Sequence, residues 1–258
     1  MGGVDAVLSK KLDRVLEKQT KNLEFTCKIN NNVIDASRFA SEAVWAAIFN
    51  NTIVNSEWLL DKQFSPGRWA VRYQTLYVIY RILNEVKPNK ILELGLGQST
   101  RMTAQYSQFY KVKHEVVEHD QSWIEFFSNS FKMLVNTKIT KLDREFIQFK
   151  EAENVRAFKG FKETFSRDVF NFIIIDAPLG ADMKQYARVD ICKMLPNILD
   201  KQFVILIDDA NRIGEMNTIA LMEEILTENS IKYKKGKYSG QNDCIVICSE
   251  DLGFVTSM

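Results

Sequence analysis

The chain has 258 residues, of which 46% are hydrophobic and 26% charged, so it can bury one substantial core with an extension. Its 34 basic and 33 acidic residues leave a net charge of +1, which excludes a global field that would hold a nucleic acid. The N-terminus and the apolar runs elsewhere are too short or too charged for a signal peptide or a membrane span. We therefore expect a cytoplasmic protein with neither membrane nor nucleic-acid partners.

The cysteines and a lysine cluster are better explained by local structure than by chemistry. The four cysteines form no CxxC pair and no zinc-like spacing with histidine, which is typical of a reducing compartment: Cys27, Cys192, Cys244 and Cys248. Positive charge is concentrated at four lysines, which we interpret as a solvated strand edge: Lys232, Lys234, Lys235 and Lys237.

Residues 1–62 are predicted to form a helical extension, and residues 63–258 a catalytic domain. From Val4 to Leu23, apolar residues recur every three or four positions with charges between them, as in an amphipathic helix. We interpret this segment as a helix packed on the main domain, with pairing in a homodimer as the alternative. A loop is expected at Asn30–Asn32, then helices near residues 36–50 and 69–86, separated by a Pro66-Gly67 turn.

Past Asn89, short β-rich runs alternate with helical stretches, which indicates βαβ units and a parallel sheet. The predicted strands are Lys90–Leu94, Glu115–Glu118, Lys138–Leu142, Phe170–Asp176, Phe203–Asp208, Lys232–Lys237 and Asp243–Ser249. Only five residues join the last two, so these should form an antiparallel hairpin. The predicted fold is α/β: a Rossmann-like, mostly parallel seven-stranded sheet with helices on both faces and an antiparallel terminal hairpin, plus the N-terminal helical extension.

A glycine-containing turn follows the first of these strands. Gly95 and Gly97 allow a tight turn and close approach of a ligand, and Ser99 and Thr100 are suitable N-cap residues for the helix that follows. Glu118 ends the next strand, 21 residues after Gly97, where a carboxylate can accept hydrogen bonds from both hydroxyls of a ribose. The two features together predict a nucleotide-binding site.

Two details favour a ligand other than NAD. Thr100 stands where a dinucleotide-binding fingerprint has its third glycine, and the motif begins only after some ninety residues. Glu93, two residues before the first glycine, suits a ligand that carries an ammonium and a sulfonium better than one that carries a pyrophosphate. S-adenosylmethionine is such a ligand.

The segments Leu92–Gly97 and Val117–Asp120, the latter followed by Trp123, resemble the first two motifs of the class I S-adenosylmethionine-dependent methyltransferases. The final hairpin is similar to that family's reversed terminal strand, and the resemblance covers roughly residues 69–249. It implies S-adenosylmethionine as the cofactor, with the ribose on Glu118. Asp143, after the third strand, is the candidate for contact with adenine. The predicted cofactor-binding residues are Glu93, Gly95, Gly97, Gln98, Ser99, Thr100, Glu118, His119 and Asp176.

Carboxylates end two buried strands, with Asp176 after one and Asp208 and Asp209 after the other. In an open α/β sheet this edge binds ligands, and clustered carboxylates are well compensated by a hard divalent cation. The arrangement resembles metal-dependent O-methyltransferases of the catechol and sugar-modifying types. It implies magnesium at Asp176, Asp208 and Asp209, with catalytic roles for Asp176 and Asp208. The alternative is that these acids hold the cofactor or cap a helix without metal.

Other polar residues are weaker candidates. His119 is a candidate general base, whereas His114 opens a strand and is predicted to be structural. Four further residues are candidates for contact with a sugar or a phosphate: Arg68, Trp69, Tyr186 and Arg188.

The predicted activity is methyl transfer to an oxygen of a small or saccharide acceptor. Asp176-Ala177-Pro178-Leu179 stands where amino-methylating members of the family carry an Asn-Pro-Pro-Tyr-type motif. Two alternatives remain open. One is an NAD-dependent oxidoreductase, and the other is a non-catalytic binding or scaffold module that uses the N-terminal residues for assembly.

Overall fold

A computed structural model describes residues 2–65 and 70–258, and side chains from residue 9 onward. The predicted Pro66-Gly67 turn and the candidates Arg68 and Trp69 lie outside the described residues, as do the side chains of Val4 and Val7. The helices are α1 (Gly2–Thr52), α2 (Tyr73–Glu85), α3 (Gln98–Tyr110), α4 (Gln121–Ser130), α5 (Phe161–Phe165) and α6 (Ile213–Glu228), with 3₁₀ helices at Ile191–Lys193 and Glu250–Thr256.

The strands, in chain order, are β1 (Lys90–Leu94), β2 (Lys113–Glu118), β3 (Thr137–Lys141), β4 (Arg144–Phe149), β5 (Ala152–Phe158), β6 (Phe170–Ile175), β7 (Leu199–Ile207), β8 (Tyr233–Ser239) and β9 (Asp243–Ser249). Seven of them form one sheet in the order β3-β2-β1-β6-β7-β9-β8. Strands β1, β2, β3, β6 and β7 pair in parallel, whereas β9 is antiparallel to both of its neighbours. This confirms the predicted sheet and its terminal hairpin.

Apolar residues cover both faces of the sheet, because successive side chains along a strand point to opposite sides. Ile91 and Phe172 belong to a core shared with α2 and the end of α1. Leu92 and Ile173 belong to a second core that includes residues of α5 and α6. The prediction of helices on both faces is therefore confirmed.

A second sheet, formed by the antiparallel pair β4 and β5, was not predicted. It lies between β3 and α5 in the chain and packs against the long connection between β6 and β7. Asp190 in this connection accepts a hydrogen bond from the Phe158 backbone at 2.8 Å. The Arg156 guanidinium binds both carboxylate oxygens of Asp182 at 2.8 Å. The β4–β5 hairpin therefore holds in place the segment that follows β6 in the chain.

Helix α1 runs without interruption through Asn30–Asn32, so the loop expected there is wrong. Asparagine costs a helix well under about 1 kcal/mol per residue, which is too little to end one. From Arg38 onward the helix contacts the body: Arg38 donates to the Gln241 carbonyl at 3.2 Å, and Phe49 is fully buried in the first core. The predicted extension thus has a last part built into the core and an exposed first part. The interpretation of Val4–Leu23 as a helix packed on the main domain is therefore wrong for the described side chains, which are exposed from Ser9 to Leu23.

Strand β8 forms one edge of the seven-stranded sheet and carries the lysine cluster. Lys235 pairs with Glu223 at 2.7 Å and Lys237 with Asp243 at 2.7 Å, while Lys232 lies 3.7 Å from Glu250. These pairs fit the interpretation of a solvated strand edge. Within the described part of the chain, no helix has the length and apolar character needed to cross a lipid bilayer.

Candidate active site

The turn after β1 has one closed side and one open side. Gly95 has a φ of +106°, in a region that side chains with a Cβ rarely adopt, and a Cβ there would lie 3.2 Å from that of Ala177. Gly97 is in extended backbone with a φ of −171°, and no atom lies within 4 Å of where its Cβ would stand. The space beside Gly97 is therefore open to a ligand.

Helix α3 begins at Gln98, and Gly97 takes the N-cap position that was predicted for Ser99 or Thr100. Ser99 and Thr100 therefore lie in the first turn of the helix. The Thr100 hydroxyl accepts a hydrogen bond from the Gly97 N–H at 3.0 Å, and the Gln98 side chain accepts one from the Ser65 backbone at 3.2 Å. These contacts hold the turn against the first turn of α3 and against the backbone at Ser65.

Glu93 is fully buried behind this turn. One of its carboxylate oxygens accepts hydrogen bonds from the hydroxyls of Ser99 at 2.5 Å and Thr100 at 3.0 Å. The other accepts one from Thr103 at 2.8 Å and lies 3.0 Å from the ring nitrogen of the buried His114. The side chains of Glu93, Ser99 and Thr100 therefore bind one another and shape the turn, and their contact with the cofactor stays a prediction.

Glu118 ties the end of β2 to the turn. Its Oε1 accepts hydrogen bonds from the backbone N–H groups of His119 at 2.7 Å and Asp120 at 3.0 Å, and its Oε2 accepts one from Leu96 at 3.2 Å. Oε2 therefore has capacity for a further donor. The Asp143 side chain is largely exposed beyond the end of β3, next to β2.

His119 lies with Glu118 and away from the carboxylates that end β6 and β7. Its Nδ1 is 2.7 Å from Glu118 Oε1. Strand β1 lies between β2, which His119 follows, and β6, which Asp176 follows, so the ends of these two strands are about 10 Å apart at ordinary strand spacing. The role of His119 as general base stays a prediction.

An aromatic pair borders the same turn. The Trp123 ring N–H donates to the Leu96 carbonyl at 2.7 Å, and its backbone N–H caps α4 through the Asp120 carboxylate at 3.1 Å. The Trp123 ring stacks on Phe126 at 5.4 Å between centroids, and both rings are exposed. They offer an apolar surface next to the open side of Gly97.

Asp176, Asp208 and Asp209 come together at the carboxyl edge of the sheet, each with one carboxylate oxygen within 4.8 Å of the others. A fourth acid that sequence reasoning missed, Glu215 in the first turn of α6, is fully buried beside them. These four acids are called the carboxylate cluster below. Only Asp176 has a substantially exposed side chain, at 22%.

The buried guanidinium of Arg188 lies inside the carboxylate cluster. Its Nη2 is 3.1 Å from Asp176 Oδ1 and 2.7 Å from Asp209 Oδ2, and its Nη1 donates to the Asp208 carbonyl at 2.9 Å. Arg212 reaches the same oxygen of Asp209 at 2.6 Å. The expectation that Arg188 contacts a sugar is therefore wrong, because its donors face the protein's own acids.

Burial and mutual repulsion control ionisation in the carboxylate cluster. Burial and the acids Asp208 and Asp209 raise the pKa of Asp176 well above its ordinary value, although Arg188 opposes this. The pKa of Asp208 is raised to about 6, chiefly by burial and by Asp209. Burial also raises the pKa of Glu215. Four carboxylates against two guanidinium groups leave two negative charges unmatched when every group is ionised.

Asp176 is the member of the carboxylate cluster most open to a ligand. Asp208 accepts hydrogen bonds from the Thr75 hydroxyl at 2.9 Å and from the Asp209 backbone, and Asp209 is held by Asn242 at 2.8 Å as well as by the arginines. Among the described residues, Arg188 is the polar side chain given as a partner of Asp176. A cation or a substrate hydroxyl would therefore meet Asp176 first.

No protein-family model matches the chain, and no curated protein matches it in sequence. Three solved structures are similar in fold. Cofactor-bound Rv0187 from MTB is 13% identical, over 79% of this chain and 95% of that one, with a TM-score of 0.52. The SAH-bound Podospora anserina methyltransferase PaMTH1 is 15% identical over 80% and 88%, with a TM-score of 0.48. The O-methyltransferase from Bacillus cereus in complex with SAH is 11% identical over 82% and 91%, with a TM-score of 0.45.

The strand order distinguishes this sheet from a dinucleotide-binding sheet. A dinucleotide-binding sheet has the order 3-2-1-4-5-6, whereas here the last strand is inserted antiparallel between β7 and β8. The chain therefore has a Rossmann-like fold with an antiparallel last strand, and it is similar in fold to cofactor-bound Rv0187.

Proposed function

We propose that the chain is an S-adenosylmethionine-dependent methyltransferase that methylates a hydroxyl oxygen of a small or saccharide acceptor. The observation that carries this proposal is the contact between two sites at the carboxyl edge of the sheet. The open glycine turn and Glu118 lie at β1 and β2, the carboxylate cluster lies at β6 and β7, and Gly95 packs directly against Asp176 and Ala177. A ligand in the turn would therefore present its reactive end to Asp176.

The cofactor would bind along the open side of the turn. Glu118 Oε2 would accept hydrogen bonds from ribose hydroxyls, and the space beside Gly97 would take the methionine part. Glu93 supports this path from behind by holding the first turn of α3. The bound cofactor supplies a methyl group on a positively charged sulfur.

Asp176 is the residue proposed to meet the acceptor. It is the most exposed member of the carboxylate cluster, and its raised pKa brings it nearer to that of a useful general base. Its Oδ2 would take the proton of the acceptor hydroxyl while the oxygen forms a bond to the methyl carbon and the carbon–sulfur bond breaks. The products would be a methyl ether, S-adenosylhomocysteine and a proton.

Magnesium at the carboxylate cluster remains part of the proposal. The unmatched negative charge suits a hard cation at Asp176 and Asp208, whereas Asp209 fits the predicted ligand role least because the arginines hold it. Asp176 would then be a metal ligand, and the ion would take its place as the group that activates the acceptor hydroxyl. When bound, the ion would lower the pKa of an acceptor hydroxyl. Activity that survives a chelator, with no response to added Mg²⁺, would remove the metal from the proposal.

The first test is calorimetric titration of the full chain with S-adenosylhomocysteine, with and without Mg²⁺, and with NADH as the control ligand. We expect micromolar affinity for S-adenosylhomocysteine and none for NADH. Glu118→Gln should weaken binding about 10-fold or more, because a charged acceptor of hydrogen bonds becomes neutral. Glu125→Gln, an exposed change in the next helix, is the matched control. Equal affinity in all three proteins would contradict the proposed ribose site.

The acceptor is tested separately, by transfer of labelled methyl from S-adenosylmethionine to catechols, saccharides and amines. Transfer to hydroxyl compounds that is lost in Asp176→Asn would support the proposal. Transfer to amines alone would contradict O-methylation. Cofactor binding without turnover on any acceptor would favour a non-catalytic binding module.

A further inference from the structure

The first part of α1 is a helix without a partner in the described chain. Each residue from Ser9 to Ser37 is exposed, and contact with the body begins only at Arg38. At a rise of about 1.5 Å per residue, this free part is roughly 40 Å long. An isolated helix of this kind is only marginally stable in water, so its stability requires burial of one face.

One face of this free part is apolar. Leu12, Leu16, Leu23 and Val33 are between 52% and 67% exposed. They belong to a row in which spacings of four and three alternate, which is the 3.5-residue repeat of a coiled coil. The row, called the seam below, consists of Leu12, Leu16, Gln19, Leu23, Thr26, Asn30 and Val33.

The opposite face is charged. Lys21 pairs with Glu17 at 2.6 Å, and both side chains are mostly exposed. Arg14, Glu24 and Lys28 lie on the same side of the helix. The helix therefore has one face suited to burial and one suited to water.

We propose that the seam pairs with the seam of a second copy of this chain. Gln19 and Asn30 interrupt the apolar residues, and a side-chain amide both donates and accepts hydrogen bonds, so it can pair with an amide of the same kind. Polar residues at seam positions are characteristic of two-stranded coiled coils, where they specify the partner. A lipid surface would instead desolvate these amides without giving them partners.

The size of the contact suits a stable dimer. The seam runs from Leu12 to Val33, or about three heptads, which is the length at which such a repeat indicates a coiled coil. The seam ends at Val33, before α1 meets the body at Arg38, and it includes no residue of the proposed cofactor or acceptor site. The proposal therefore does not rest on the proposed activity.

The test is sedimentation equilibrium of the full chain at about 1–50 µM. We expect a particle of twice the 29.8 kDa chain mass, with a helical circular dichroism signal that falls on dilution. Leu16→Glu combined with Leu23→Glu should weaken association at least about 10-fold. Asn31→Glu combined with Asn32→Glu adds the same charges away from the seam and should leave the dimer intact.

Three results would overturn the proposal. A wild-type chain that is monomeric at about 50 µM has no such pairing. A dimer that persists in the seam variant has its interface elsewhere. A monomer that binds phosphatidylglycerol vesicles, and loses this binding in the seam variant, uses the seam for lipid.

Discussion

Gly95 and Gly97 lie two positions apart in one turn, but an added methyl group should affect the stability of the fold very differently at the two positions. Gly95→Ala should destabilise the fold by about 1–3 kcal/mol, because φ is +106° and Ala177 crowds the new atom. Gly97→Ala should change stability by less than about 0.5 kcal/mol, because its backbone is extended and its surroundings are open.

The same pair tests where the cofactor lies. A methyl group at residue 97 would fill the space proposed for the ligand, so Gly97→Ala should bind S-adenosylhomocysteine about 10-fold more weakly or worse. Urea unfolding and calorimetry measure the two effects. Unchanged affinity in Gly97→Ala would place the cofactor on another side of the turn.

Arg188 stabilises the carboxylate cluster from inside, and its removal should be costly. Arg188→Met leaves Asp176 and Asp209 buried without their main cation, so we expect a loss of about 3–5 kcal/mol in unfolding free energy at pH 8. Arg212→Met, at a guanidinium that is 30% exposed, should lose less than about 1 kcal/mol.

The loss in Arg188→Met should shrink as the pH falls. The pKa of Asp208 is about 6 and that of Asp176 is well above its ordinary value, so the acids become neutral and need no cation. Denaturant titrations at pH 5 and pH 8 measure this difference. An equal loss at both pH values would mean that Arg188 acts through packing alone.

The sequence predicted the positions of some residues of the candidate site and not the contacts of others. Glu118 and Asp208 were found because they end buried strands, and strand ends meet at one edge of the sheet. The contacts of Glu93 with Ser99, Thr100 and His114 could not be predicted, since sequence position does not tell which side of a turn a side chain takes. Arg188 lies in a long connection with little regular structure. The one feature of the sequence that marks it is a single cationic residue between two apolar ones, Ala187 and Val189, which are both buried in the structure.

At the scale of elements, Asp190 joins the β4–β5 hairpin to the connection after β6. Burial raises its pKa to about 7, and its Oδ2 has no hydrogen-bond partner. The folded chain therefore holds a proton on Asp190 between pH 4 and 7 that the unfolded chain releases, so wild-type stability should fall as the pH rises through this range.

Asp190→Asn removes this titration and can still accept the Phe158 hydrogen bond. Relative to wild type, the variant should gain stability from pH 4 to pH 7, by up to a few kcal/mol, and the difference should be constant above pH 8. Asp13→Asn, an exposed change, is the control and should show no such trend. A difference that does not vary with pH would contradict a buried proton at Asp190.

The central strands were the easiest to find from sequence. Strands β1, β6 and β7 contain apolar runs because the sheet is covered on both faces, whereas the more polar β3 and β8 were found from their place in the alternation of strands and helices. In β4, exposed and half-buried residues alternate, and the strand begins with two charged residues. A pattern this short resembles a polar loop. Helix α1 was divided because three asparagines resemble a turn, although their cost in a long helix is small.

At the scale of the whole molecule, the sheet reverses its strand order at β1, so that β2 and β6 leave it on opposite sides. The crevice at such a reversal is where open α/β sheets bind ligands, and it coincides here with Gly95 and Asp176. A ligand held there contacts both halves of the sheet, so its binding should stabilise the fold as one unit.

Thermal unfolding measures this coupling. At 100 times its dissociation constant, S-adenosylhomocysteine should add about 2.7 kcal/mol to the unfolding free energy, and NADH should add none. A midpoint temperature that rises equally with both compounds would point to non-specific stabilisation.

The lysines of β8 have a consequence that reaches beyond the single molecule. An edge strand exposes unpaired backbone groups that can template the addition of a strand from a neighbouring protein, which is a route to aggregation. Lys234, Lys235 and Lys237 place charged side chains along this edge, and a strand that added here would have to desolvate them together with the acids paired to Lys235 and Lys237. The lysine cluster should therefore oppose the addition of a strand at β8.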